Sequence, residues 1–115
     1  MLDLTAGQLA VVRDILHRHV PGLAVRAFGS RVNGTARHYS DLDLAIIAAT
    51  PLPFDLIGRL REDFSESGLP FRVDILDWAT TGEPFRRIVE QDSVVIQPGP
   101  DASREACIDS VPRSR

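Results

Sequence analysis

A chain of 115 residues and 12.7 kDa has room for one small domain with a modest core. Hydrophobic residues make up 43% and charged residues 25%, ordinary for a globular chain, and no apolar run approaches the ~18 residues of a membrane-spanning helix. A net charge of -3 argues against a dedicated nucleic-acid binder, and the lone Cys107 excludes an internal disulfide.

All 13 basic residues are arginine. A chain without lysine has neither a Walker-type phosphate loop nor Schiff-base chemistry. Any phosphate must be met by arginine, hydroxyls, backbone N–H groups or a metal ion. The N-terminus has no basic stretch followed by an apolar core, so the expected setting is the reducing cytoplasm.

In chain order, Thr5 and Gln8 fit a capping box, and Leu9, Val12, Ile15 and Leu16 follow at helical spacing until Pro21-Gly22. Leu23 to Phe28 reads as a strand broken by Gly29-Ser30. Residues 30 to 40 are polar and read as a loop or a short helical turn. Asp41 to Ala49 starts with alternation and becomes a continuous apolar run, the pattern of a buried central strand. Phe54 to Glu66 is a second helix, with Ile57, Leu60 and Phe64 on one side. Phe71 to Leu76 is a third strand. Thr80, Thr81 and Pro84 introduce a third helix with Phe85, Ile88 and Val89, and Val94 to Ile96 adds an edge strand. The chain turns poor in apolar residues from Gln97, and residues 98–115 are expected to be a largely disordered tail, leaving a domain over 1–97. The expected architecture is α/β (α+β), a small mixed sheet of about four strands with three flanking helices.

The chemistry concentrates in carboxylates. Asp41 and Asp43 are two apart on a strand, so they share a face with Cα atoms about 6–7 Å apart. Side by side they repel, and burial makes the charges costly without a counter-charge. A hard divalent cation such as Mg²⁺ relieves both, since it takes oxygen ligands and is often held by one or two carboxylates plus substrate phosphates. Asp74 lies mid-strand in Arg72-Val73-Asp74-Ile75-Leu76, where aspartate is unusual. If the two strands are neighbours, the three carboxylates converge in the manner used for displacement at phosphorus. Each taken alone has an ordinary structural reading, Asp41 as a turn residue and Asp74 as a partner for an arginine. The segment before them tips the balance. Gly29-Ser30 follows a strand, exposing N–H groups and a hydroxyl where a phosphate could sit.

The stretch FGSRVNGTARHYSDLDLAII (28 to 47) resembles the GS-x10-DxD signature of the polymerase-β-like nucleotidyltransferases, and more narrowly the minimal nucleotidyltransferases (MNT proteins). Arg31, Gly34, Arg37 and Ser40 also sit where such proteins often carry those residue types. FRVDILD (71 to 77) is similar to the strand bearing the family's third aspartate, and FRRIVEQDSVVI (85 to 96) to the ending of these short chains. The resemblance implies the polymerase-β-like fold, with Gly29, Ser30 and Arg31 at the nucleotide and Asp41, Asp43 and Asp74 as catalytic metal ligands for Mg²⁺. It implies ATP as the substrate and attack of an acceptor hydroxyl on the α-phosphate. It further implies an antitoxin that transfers AMP to a tyrosine of a helical HEPN ribonuclease toxin, in a hetero-oligomer away from membranes and nucleic acid. Two other readings stand beside it: a toxin-masking protein without chemistry, and a small-molecule transferase of the aminoglycoside type. The shortness of the chain leaves little room for an acceptor-holding region, so the acceptor surface is expected from another chain. His17, His19 and His38 lack zinc-ligand spacing, Trp78 is read as a packing residue, and Arg86-Arg87 as a solvated face.

Overall fold

The structure, a computed structural model, describes residues 2–34 and 40–99. Helix α1 (Ala6–His19) leads to β1 (Ala24–Phe28), the four-residue helix α2 (Ser30–Asn33) and β2 (Leu42–Ile47). Helix α3 (Phe54–Ser65), β3 (Val73–Asp77), a 3-10 turn (Trp78–Thr80), α4 (Glu83–Gln91) and β4 (Ser93–Gln97) complete the chain. The strands form one mixed sheet in the order β3-β2-β1-β4. β1 runs antiparallel to β2 and β4, and β2 runs parallel to β3. The third and fourth expected strands thus take opposite edges.

The local signals read from the sequence have direct physical counterparts. Thr5 accepts from the Gln8 N–H at 3.0 Å, and the Gln8 side chain accepts from the Thr5 N–H at 2.9 Å, closing the capping box. Alternation along β2 buries Leu42, Leu44 and Ile46 completely, together with Val25 and Ala27 of β1. Leu16 and Val12 of α1 and Leu60 and Phe64 of α3 close over them. Asp43 and Asp74 fall on the other face, which this helical layer does not cover.

Several expectations need correction. Of the two readings of residues 30 to 40, the short helical turn is the one seen at its start, as α2. β2 starts at Leu42, whose N–H donates to the Arg72 carbonyl at 2.8 Å, so Asp41 precedes the strand. Gln97, where the apolar content drops, does not face solvent: it ends β4, is buried, and donates to the carbonyls of Val20 (2.7 Å) and Leu23 (2.8 Å). A polar side chain thereby satisfies two backbone acceptors at the α1–β1 connection, a contact that composition cannot reveal. Arg86 is no solvated side chain either. It donates to the Trp78 carbonyl at 2.6 Å and lies over the Trp78 ring, 5.0 Å from its centre. The expected tail beyond Gly99, with Cys107, and the loop residues Arg37 and His38 lie outside the described residues. Among the described residues no helix is long and apolar enough to cross a membrane.

Helices α1 and α3 are pinned by His19, whose Nε2 lies 2.6 Å from an Asp63 carboxylate oxygen. That hydrogen bond holds the Asp63 carboxyl below its ordinary value of 3.8, assisted by the charges of His19 and Arg18 and opposed by burial. A depressed carboxyl stabilises the fold above its unfolded pKa and loses that contribution as pH falls through the folded one. Thermal melts between about pH 5 and pH 3 should therefore fall more steeply for the parent than for His19→Ala. Parallel slopes would remove His19–Asp63 as a source of acid sensitivity.

Candidate active site

The site is built where β1 ends beside β2. Phe28 pairs with Asp43 across the antiparallel ladder, and Asp43 pairs with Asp74 across the parallel one. Parallel neighbours lie about 4.8 Å apart, so the two carboxylates start from adjacent backbone positions on one face. The next residue after Phe28 is Gly29, at φ +86° and ψ -158°, a conformation essentially reserved for glycine. A Cβ built there would collide with an Asp43 carboxylate oxygen and lie 3.3 Å from its Cγ. Glycine thus serves twice: it permits the backbone turn, and it lets the Asp43 carboxylate lie against the main chain. Ser30 then opens α2 with its side chain half-buried beside the same turn.

Asp43 is half-buried and, among the described residues, has no ion-pair partner. Its pKa is pushed up from 3.8 to about 6, first by burial, then by the charge of Asp74, then by that of Asp41. The carboxylate charge at neutral pH is therefore costly, as expected for a group that meets a cation in use.

Asp41 answers to a different partner. Its carboxylate lies 3.6 Å from the Arg72 guanidinium, which is 79% exposed. Among the described residues, no three acidic, histidine or cysteine side chains are gathered closely enough to hold a metal ion as they stand. The donor set still fits a hard cation. Asp43 and Asp74 are in register, and among the described residues Asp43 has no counter-charge and the ion-pair partner of Asp41 is a solvated arginine that can swing away. Two carboxylates plus substrate phosphates are the usual way Mg²⁺ is held.

Arg31 is anchored in the described geometry by contacts of its own. It is buried and donates to the Ser40 carbonyl (2.9 Å) and the Asp3 carbonyl (3.0 Å). Its guanidinium also lies over the Phe71 ring, 4.1 Å from the centre. These contacts tie the turn, the segment before β2, the N-terminus and the approach to β3 into one unit.

Sequence reasoning missed two neighbours. Asp77 accepts from the N–H groups of Leu52 (2.9 Å) and Ala79 (3.2 Å), and its carbonyl accepts from the Thr80 and Thr81 hydroxyls. The signal was available in Asp77-x-x-Thr80-Thr81, an Asx-type turn pattern. Arg61 of α3 lines, with Arg72 and Asp74, a cavity at the β3 edge, an arrangement set only by tertiary packing.

The chain that carries this carboxylate strand pair, with a glycine turn folded against it, is a member of the polymerase beta nucleotidyltransferase family: the family model matches residues 12–98. Within it, the chain is similar to a Haemophilus influenzae protein named "Probable protein adenylyltransferase MntA", with 58% identity over 96 residues, 84% of each chain. A chain of a toxin–antitoxin crystal structure with AMP-PNP has the same fold, with a TM-score of 0.68 and 23% identity, covering 90% of this chain and 97% of that one. So does a chain in the complex of a tri-AMPylated Shewanella oneidensis HEPN toxin with an MNT antitoxin, with a TM-score of 0.58 and 22% identity, covering 90% and 98%.

Proposed function

We propose that this chain is an antitoxin that transfers AMP from ATP to a tyrosine hydroxyl of a cognate HEPN ribonuclease toxin in the cytoplasm, silencing it. The observation that carries this reading is the 58% identity, over most of both chains, to a protein named as an adenylyltransferase. The register of Asp43 with Asp74 beside Gly29 supports the chemistry. A protein acceptor is supported by apolar side chains left in solvent on α4 and β4, with Ile88 57% and Val95 48% exposed.

In this reading Gly29 and Ser30 receive the β- and γ-phosphates, and Asp41, Asp43 and Asp74 hold Mg²⁺. When bound, Mg²⁺ neutralises phosphate charge and makes the α-phosphorus a better electrophile. Asp74 accepts the proton of the acceptor hydroxyl as its oxygen bonds to the α-phosphorus. The bond from that phosphorus to the bridging oxygen of the β-phosphate breaks, and pyrophosphate leaves with the electron pair. Arg31 keeps the turn in place from behind.

Intact mass spectrometry of the co-expressed partner, with ATP and Mg²⁺, tests the reading. Gains in AMP-sized steps are expected with the parent and not with Asp41→Asn/Asp43→Asn. An unchanged mass in a stable complex would mean neutralisation by binding alone. Ser30→Ala is expected to act more mildly, raising the KM for ATP about fivefold, since a neutral hydrogen bond is worth about 1 kcal/mol. A loss larger than that of Asp43→Asn would contradict the role given to Ser30.

A further inference from the structure

The carboxylate face of the sheet holds one cation as well as its aspartates. Asp43 and Asp74 are paired across the parallel ladder, and one step back Leu42 pairs with Val73. The Leu42 N–H donates to the Arg72 carbonyl at 2.8 Å, which brings Asp41 and Arg72 opposite each other at the next position. Alternation returns both to the face of Asp43 and Asp74. The corner is thus a small array, Asp41 beside Arg72 and Asp43 beside Asp74, at the open edge that β3 forms.

The backbone of this corner is held from behind. Buried Arg31 donates to the carbonyl of Ser40, which precedes Asp41, and lies over the ring of Phe71, which precedes Arg72. The Arg72 side chain is 79% exposed, with its guanidinium 3.6 Å from the Asp41 carboxylate. An exposed pair of this kind adds little to the fold. Its weight lies in the field it sets at the carboxylates.

That field acts in opposite directions on the two forms in which the site can meet a metal. A bare divalent cation approaching Asp41 has to displace the guanidinium and is repelled by it. A magnesium–triphosphate complex is an anion as a whole, and the three carboxylates repel it. The guanidinium offsets that repulsion and, once Asp41 turns to the metal, has phosphate oxygens as new acceptors.

We propose that Arg72 is a specificity-determining charge of the site: as the counter-ion of Asp41 it disfavours a bare divalent cation and favours one that arrives with a nucleoside triphosphate. The role deepens the transferase reading and rests on it for the identity of the ligand. Arg72 acts through its charge and through Asp41, not on the reacting atoms.

The test is equilibrium binding to the full chain, measured twice. One titration uses Mn²⁺ alone, followed by the electron paramagnetic resonance of the free ion; Mn²⁺ shares the preference of Mg²⁺ for carboxylate oxygens. The other uses AMP-PNP in saturating Mg²⁺, followed by calorimetry. Arg72→Gln is expected to bind Mn²⁺ about two- to fivefold more tightly than the parent and AMP-PNP about two- to fivefold more weakly, in keeping with an exposed charge. Arg72→Lys keeps the charge and should stay near the parent in both. Rising salt should shrink both differences. Because Arg72 is exposed, the melting curves of both variants should stay close to that of the parent. Affinities that move in the same direction would mark a structural role and overturn the proposal. So would an Arg72→Gln variant that leaves either affinity unchanged, or an Arg72→Lys variant that behaves like it. Opposed shifts, found together with a co-expressed partner whose mass stays unchanged in ATP and Mg²⁺, would overturn AMP transfer to that partner and leave the role of Arg72 standing.

Discussion

Replacing Asp43 with asparagine is expected to raise the melting temperature of the ligand-free protein while reducing nucleotide transfer about 10³-fold. The two effects have one cause. Burial, then the charges of Asp74 and Asp41, lift the Asp43 carboxyl from 3.8 to about 6. A folded pKa above the unfolded one means that the folded state binds the proton more tightly. Stability is therefore greatest below the unfolded value, falls as pH rises through the interval to about 6, and is level above it. At neutral pH the cost is on the order of 2 kcal/mol, after allowance for the partial exposure of the group. An isosteric amide carries no charge to desolvate, so Asp43→Asn should recover about 1–2 kcal/mol, or roughly 5–10 °C in a domain of this size.

The pH dependence separates this account from a generic stabilisation. Between about pH 4 and pH 7 the parent should lose stability that the variant keeps, and the curves should meet near the acid end. Mg²⁺ with AMP-PNP should reverse the order by stabilising the parent and leaving Asp43→Asn nearly unmoved, because only the parent has the charge that the cation compensates. A variant that melts lower than the parent at neutral pH, or that transfers AMP normally, would refute the assignment of Asp43.

The chain's motifs told more about the site than about what surrounds it. Asp43 and Asp74 were legible because a charged residue inside an apolar strand contradicts its environment, and period-two alternation assigns it a face. Thr5 and Gln8 were legible because a capping box is local, its partners three residues apart. The pairing of β4 with β1 was not, since strand order depends on contacts separated by more than 60 residues and leaves no local pattern. The same holds for Gln97, whose polarity reads as solvent until its two carbonyl partners are seen. The anchoring of Arg31 was not legible either, since Phe71 and the carbonyls of Asp3 and Ser40, far apart in sequence, receive its guanidinium. Arg61 escaped notice for a simpler reason: an arginine on an amphipathic helix looks like any other until β3 is packed beside it.

Gly29→Ala is expected to destabilise the fold by about 2–4 kcal/mol and to abolish transfer, and a double-mutant cycle can divide that cost. One part is backbone strain, because φ +86° with ψ -158° is a region that a side chain hardly tolerates. The other is the collision of the new methyl group with the Asp43 carboxylate. Gly34 supplies the comparison. It also has a positive φ, +87°, but with ψ 6° it sits in the left-handed helical region, and among the described residues nothing lies within 4 Å of where a Cβ would be. Gly34→Ala should therefore cost only about 1 kcal/mol and leave transfer intact. In an Asp43→Ala background the carboxylate is gone, so Gly29→Ala should cost at least about 1 kcal/mol less than in the parent, whereas Gly34→Ala should cost the same in both. Additivity at Gly29 would mean that the methyl group and the carboxylate never meet, and that the turn is shaped by backbone conformation alone. Coupling at Gly29 without coupling at Gly34 would establish that the glycine of the turn holds open the space in which the Asp43 carboxylate must lie.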